Sequence, residues 1–288
     1  MKIKFLGTSA GWPLPRLGCS CQICSSKDPK DKRTRTQLLI DDKVLLDAGP
    51  ETYNHLVSLT SHPEFNSGSE QIPKPIRVDK IRRVRDDKEM NVAHKLKAVL
   101  ISHAHPDHIL GLWDLPHIYG RNENEVDRIK LFVTREVLNN IRSTFFSQFQ
   151  PIVVSVQKPL ETFDIDHAKV TYFPVIHGKT PAFGIKYKDG KFIAYIPDFN
   201  RILPSSQKVI RDCHALIIDG SSLGKIGQGP GHISIQDGIT ISKNLRAQST
   251  YFVHLGHKTG THQFLENYLR ENAGPNFHIA YDNLEISI

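Results

Sequence analysis

Residues His103 to His108 read HAHPDH, three imidazoles and a carboxylate in six positions, one residue after the apolar run Ala98-Val99-Leu100-Ile101. No other stretch constrains the fold as tightly, because four metal-capable side chains this close need a rigid frame to aim them at a common point. A strand ending at Ile101 supplies that frame. His103 and His105, two apart at a strand end, can turn to one side and chelate one ion, while Asp107 and His108 start a predicted helix through GLWDL and can face a second. Mixed imidazole and carboxylate ligation suits zinc, manganese or iron better than calcium or magnesium. Such a pair of ions needs further histidines and a shared carboxylate. The sequence offers His177 after VTYFPVI, Asp198 after KFIAYIP and His254 after TYFV, each closing a strand-like run. Ligands on strand ends are held more rigidly than ligands on loop tips.

Strand-like runs with turn signals between them recur along the chain: KIKFLG, QLLIDD, KVLLDAG, KAVLISH, IKLFVT, KVTYFPVIH, FGIKYKDG, KFIAYIPD, ALIIDG, TYFVHLGH and HIAYDNLEISI. Helical patterns fall at 51–60, 109–117, 135–149, 236–245 and 262–271. Their alternation predicts a mixed α/β layered domain over 1–288, with two halves of similar character. The stretch 61–95 holds Pro63, Pro73 and Pro75 without a strong period and reads as an inserted segment. Much of the net charge of +7 lies at its end, between Lys74 and Lys97. That stretch has little aromatic interleaving, so a solvated basic insertion fits it better than a nucleic-acid surface. No apolar run reaches membrane-spanning length, and the N-terminal MKIKFLGTSAG is too short in apolar residues for a signal peptide. A cytoplasmic location with no membrane partner is the expectation.

Three of the four cysteines cluster as Cys19, Cys21 and Cys24 in GCSCQIC. In a reducing compartment such clustering points to metal rather than to disulfides. Three thiolates leave a tetrahedral zinc site one ligand short. His257 in HLGH is the preferred fourth ligand, with His262 in THQF as its rival. Cys213, in the apolar run around ALIID, reads as a small core residue.

LLDAG at 45–49, HAHPDH, PVIHG at 174–178, Asp198 and His254 together resemble the ordered motifs of the metallo-β-lactamase-fold hydrolases across nearly the whole chain. The resemblance implies an αββα sandwich with two catalytic divalent metals, zinc or manganese, at one edge of its sheets. It also implies His103, His105 and His177 on one ion, Asp107, His108 and His254 on the other, Asp198 bridging, Asp47 orienting an imidazole from behind, and a hydroxide held between the metals as nucleophile. Adding GCSCQIC, HLGH and the tail AYDNLEI, the chain is similar to the phosphoribosyl 1,2-cyclic phosphate phosphodiesterase branch of the carbon–phosphorus lyase pathway, which implies one structural zinc and a small phosphorylated substrate. The pyrroloquinoline quinone biosynthesis protein B branch shares the cysteines, but there the H-x-H-x-D-H run is usually degraded. tRNase Z-like RNA processing is the other alternative, and nucleic acid the less expected partner. In phosphodiesterase-like branches a histidine such as His232, in GPGHISIQ, sits near the leaving group as general acid, with Asp107 also essential to turnover. Homodimerisation is expected by analogy.

Overall fold

In the computed structural model the described residues are 1–59, 95–116, 129–145, 152–224 and 231–288. Nearly all of the expected insertion at 61–95 lies outside them. Two β-sheets face one another through a shared apolar core, and helices cover their outer faces.

The first sheet has the order β15-β1-β2-β3-β4-β5-β6. Its strands are β1 (Lys2–Gly7), β2 (Gln37–Ile40), β3 (Val44–Leu46), β4 (Ala98–Leu100), β5 (Lys130–Thr134), β6 (Val153–Gln157) and β15 (Glu285–Ser287). β3 through β6 run parallel to one another. Helices α1 (Thr52–Ser58), α2 (Pro106–Ile109) and α3 (Arg135–Phe145) belong to this half.

The second sheet has the order β11-β8-β9-β10-β12-β13-β14, with β7 (Thr162–Ile165) paired to β8. Here β8 (Ala168–His177) and β9 (Thr180–Asp189) form a long hairpin, followed by β10 (Lys191–Ile196), β11 (Arg201–Ile202), β12 (Ala215–Asp219), β13 (Ser249–Val253) and β14 (Phe277–Ile279). β10, β12, β13 and β14 are parallel. Helices α4 (Pro204–Ile210), α5 (Ile235–Leu245) and α6 (His262–Asn272) cover this half. The layers are those of an αββα sandwich.

Burial follows from strand alternation. Ile3, Phe5, Leu39, Leu45, Val99 and Leu131 of the first sheet meet Val170, Tyr172, Ile185, Tyr195 and Ile217 of the second in one core. The opposite faces of the second sheet, Ala194, Ile196, Leu216, Ile218 and Phe252, pack with Ile235, Ile239 and Leu269 of α5 and α6. Cys213 is fully buried in this outer cluster, as its setting predicts. The sheets are tied at one edge, where the Phe183 N–H donates to the Ser102 carbonyl at 3.0 Å and Ala10 N–H to the Leu255 carbonyl at 3.1 Å.

Several expectations need correction. HIAYDNLEISI is not one strand. It breaks into β14 and β15 because Asp282 turns inward to accept from Thr8 Oγ1 and the Thr34 N–H, and Asn283 takes φ 69°. The helix expected over 109–117 is broken: an α turn at Pro106–Ile109 is followed by a 3₁₀ turn at Leu110–Trp113, residues 115 and 116 are helical again, and 117 lies outside the described residues. β6, β7, β11 and α4 were not among the expected elements.

Candidate metal centre

The groups named for the metal centre converge on the edge where the two sheets meet, most at the carboxyl end of a strand or just beyond it, with Asp107 and His108 in α2. Asp47 follows β3, His103 follows β4, His177 ends β8, Asp198 follows β10 and His254 follows β13. The order of strands therefore converts ligands up to 151 residues apart, His103 to His254, into neighbours. Two of these residues sit at positive φ, Asp47 at 62° and His254 at 57°. For non-glycine residues such backbone costs of order 1–3 kcal/mol and persists where the surrounding structure over-determines it.

Two donor groups result: His103, His105, His177 with Asp198, and Asp107, His108, His254 with Asp198. In the first, His177 Nε2 lies 3.1 Å from His105 Nδ1 and 3.7 Å from Asp198 Oδ2, and His103 Nε2 lies 3.4 Å from that oxygen. In the second, Asp107 Oδ2 is 3.2 Å from His108 Nε2 and 3.4 Å from His254 Nε2. Asp198 serves both, with Oδ2 3.5 Å from His108 Nε2 and Oδ1 3.0 Å from His254 Nε2. Separations of this size match the edges of a coordination polyhedron with metal–ligand bonds of about 2.0–2.2 Å. His103 Nε2, His108 Nε2 and Asp198 Oδ1 are buried and, among the described residues, without a hydrogen-bond partner. Unsatisfied buried polar atoms cost roughly 1–3 kcal/mol each, and two divalent cations, one in each donor group, would satisfy them.

The opposite nitrogens are tied down, as metal-binding imidazoles require. His103 Nδ1 faces Ser102 Oγ at 3.0 Å, His108 Nδ1 faces Asp47 Oδ2 at 2.8 Å, His177 Nδ1 faces the Gly231 carbonyl at 2.6 Å and His105 Nε2 faces Thr180 Oγ1 at 3.0 Å. Asp47 also accepts from the Ser102 N–H, Ser102 Oγ and Tyr195 Oη. It is fully buried.

The electrostatics divide the site. Burial, together with the neighbouring His108 charge, pushes His103 down to about 4. Burial and the adjacent His177 lower His105, and burial lowers His177. These rings are held neutral, with lone pairs free to bind. Around His108, burial opposes protonation, but the carboxylates of Asp107, Asp47 and Asp198 outweigh it and hold its pKa well above the ordinary value. Burial also opposes ionisation of Asp107 and Asp198, yet the nearby histidine charges keep both well below the usual carboxylate range. Three carboxylates converging on one buried imidazole form a pocket for positive charge.

Cys19, Cys21, Cys24 and His257 form a separate group. Cys19 Sγ and Cys21 Sγ lie 3.7 and 3.9 Å from His257 Nδ1, close to the sulfur–nitrogen edge of a tetrahedral zinc site. The rival His262 is elsewhere, with Nδ1 3.4 Å from the guanidinium of Arg33.

His232 borders the centre, its ring stacked on His254 at 5.1 Å. Its Nδ1 lies 2.9 Å from Oδ2 of Asp219, a fully buried carboxylate at the end of β12. Burial pulls the His232 pKa down, but the hydrogen bond and charge of Asp219 prevail and raise it to about 9. Asp219 and Thr180 were missed at the sequence level. Asp219 had a readable signal: like Asp47 and Asp198, it is a carboxylate closing an apolar strand. Thr180, a hydroxyl opening a hairpin strand, had none.

Comparison with known proteins places this geometry. The chain is 28% identical to an octanoyltransferase of Porphyromonas gingivalis over 296 residues, covering 100% of this chain but 52% of that protein, so it spans about half the length of that relative. Among solved structures, a diphosphatase described as belonging to the PhnP family superposes with a TM-score of 0.75 at 24% identity, covering 100% of this chain and 97% of the other. Zinc-bound PqqB of Methylobacterium extorquens superposes with a TM-score of 0.73 at 20% identity, covering both chains completely. A family profile described as the beta-lactamase superfamily domain matches residues 42–255, from the turn before β3 to the residue after His254. With the sandwich, the strand-end ligands and that match in agreement, the chain belongs to the beta-lactamase superfamily.

Proposed function

We propose that this protein is a metal-dependent hydrolase of small phosphodiesters, with phosphoribosyl 1,2-cyclic phosphate as the substrate to test first. The observation that carries this reading is the Asp219–His232 pair beside two complete donor groups that share Asp198. His103, His105 and His177 would hold one divalent ion, Asp107, His108 and His254 the other, and Asp198 would serve both. When bound, such ions supply Lewis acidity toward phosphoryl oxygens and make water acidic enough to ionise near neutral pH.

The chain's own residues do the rest. Asp107 reaches His108 and His254 and is only partly buried, with 14% of its side chain exposed, so it lines the open side of the site. His232, 32% exposed on its side chain, stands on that open side. Asp219 holds the His232 ring by Nδ1, leaving Nε2 free to give a proton to a departing alkoxide. A pKa of about 9 keeps the imidazolium populated at neutral pH, as a general acid needs. A fatty-acyl transfer is not carried over from the octanoyltransferase, since this chain covers only part of it. The likeness to PqqB raises a non-catalytic reading, but a scaffold has no use for a proton donor aligned beside two donor sets.

The test is turnover of phosphoribosyl 1,2-cyclic phosphate and of a precursor tRNA by the zinc- or manganese-loaded protein, with Asp107→Ala as blank. Opening of the cyclic ester with inert tRNA is the expected result. Cleavage of the tRNA alone moves the function to RNA processing, and reaction of neither above the blank removes the phosphodiesterase reading.

A further inference from the structure

His254 differs from the other four imidazoles of the metal centre. Their second nitrogens all face a hydroxyl, a carboxylate or a carbonyl, whereas His254 Nδ1 is buried and, among the described residues, has no hydrogen-bond partner. It points toward Asp219, whose Oδ1 lies 4.0 Å away. Asp219 Oδ2 in turn meets His232 Nδ1 at 2.9 Å, and the two rings stack with 17° between their planes. Donor atoms of all three residues lie within 4.8 Å of one another.

We propose that Asp219, His232 and His254 form a third, inhibitory zinc site that competes with proton delivery. This rests on reading His232 as the proton donor. Two imidazole nitrogens and a carboxylate are a donor set suited to zinc, and less so to magnesium or calcium. The His232 side chain is 32% exposed, so the group is open to solvent, the source of an incoming ion and of water as a fourth ligand. Asp219 keeps its bond from the Ser221 N–H at 2.8 Å, which fixes the carboxylate for either role. Zinc entering this site displaces the proton that His232 Nδ1 shares with Asp219. It also displaces the one on His254 Nδ1, so two protons pass to solvent and the His254 ring bridges two ions. The imidazolium is then gone and the leaving group has no acid. The residues that deliver the proton thereby report on excess zinc.

Equilibrium dialysis of the fully loaded protein against rising zinc, in parallel with turnover of phosphoribosyl 1,2-cyclic phosphate, whose alkoxide leaving group needs a proton, tests this. The wild type should bind one further zinc per chain as turnover falls at least about 100-fold, the loss expected from removing a general acid. Asp219→Asn and His232→Gln should each lose that last equivalent while keeping the earlier ones and a native circular dichroism spectrum. No further equivalent in the wild type, or its retention in both variants, overturns the proposal. The dialysis needs no turnover, so a protein that hydrolyses no phosphodiester would sink the functional reading and still decide the zinc site.

Discussion

At the scale of single residues, the candidate metal centre is framed by groups outside its two donor sets. Asp47 gathers four donors at zero exposure, from the Ser102 backbone, the Ser102 hydroxyl, Tyr195 and His108. Asp47→Asn keeps the shape but removes the charge and can turn a donor toward His108. Isothermal titration should show metal affinity falling about 10- to 100-fold, the usual cost of losing such a partner, with the cysteine site unaffected. The histidines and cysteines were legible in the sequence because their side chains have few other reasons to cluster at strand ends. Thr180 was not, because a hydroxyl is ordinary anywhere and its role exists only once the β8–β9 hairpin brings it to His105. Asn200 Oδ1 accepts the Gly178 N–H at 3.0 Å and so supports the turn after His177.

At the scale of elements, the segments that carry ligands are packed to the limit of backbone contact. Gly49, after β3, lies so close to the Asp107 carbonyl that no Cβ could fit between them, and Arg35 occupies the remaining side. Arg35 links the neighbouring segments, donating from Nε to the Gly11 carbonyl at 2.9 Å and from Nη1 to Glu51. Gly49→Ala must therefore displace the Asp107 backbone, and thermal unfolding should show a loss of about 1–3 kcal/mol together with reduced turnover. Central strands such as β4, β10 and β12 were easy to read because they are short apolar runs with both faces covered. β6 and β7 were harder: their residues are mostly half-buried or exposed at the sheet margins, so alternation is weak. The 3₁₀ turn at Leu110–Trp113 was hidden for another reason. Its glycine, Gly111, is pressed against Gly49 and Thr52 by tertiary contact, and no periodicity in the sequence encodes that.

At the scale of the whole molecule, acid should undo the fold through histidines remote from the metals as well as through the centre itself. Burial lowers His55 to about 4, and it stays neutral between Gln37 Oε1 and Thr34 Oγ1. Burial, with the nearby Arg33 charge, lowers His262 to about 4 as well. In both cases the unfolded chain binds the proton more tightly. The stabilisation is complete above pH ~6.5 and is lost as pH falls toward 4, by up to about 3 kcal/mol for His55. His55→Gln should flatten the decline of melting temperature between pH 6.5 and 4 relative to wild type, measured with the same metal content. The pairing of β1 with β15, Lys2 opposite Ser287, carries a different consequence. One edge of the first sheet closes only when residues separated by almost the full sequence meet, and Cys19 and His257 impose a similar wait on the N-terminal loop. Contacts of such long range slow folding. A chain emerging from the ribosome therefore holds one edge of β1 and its thiolates in waiting until β15 and His257 have been made, long after β1 has met β2.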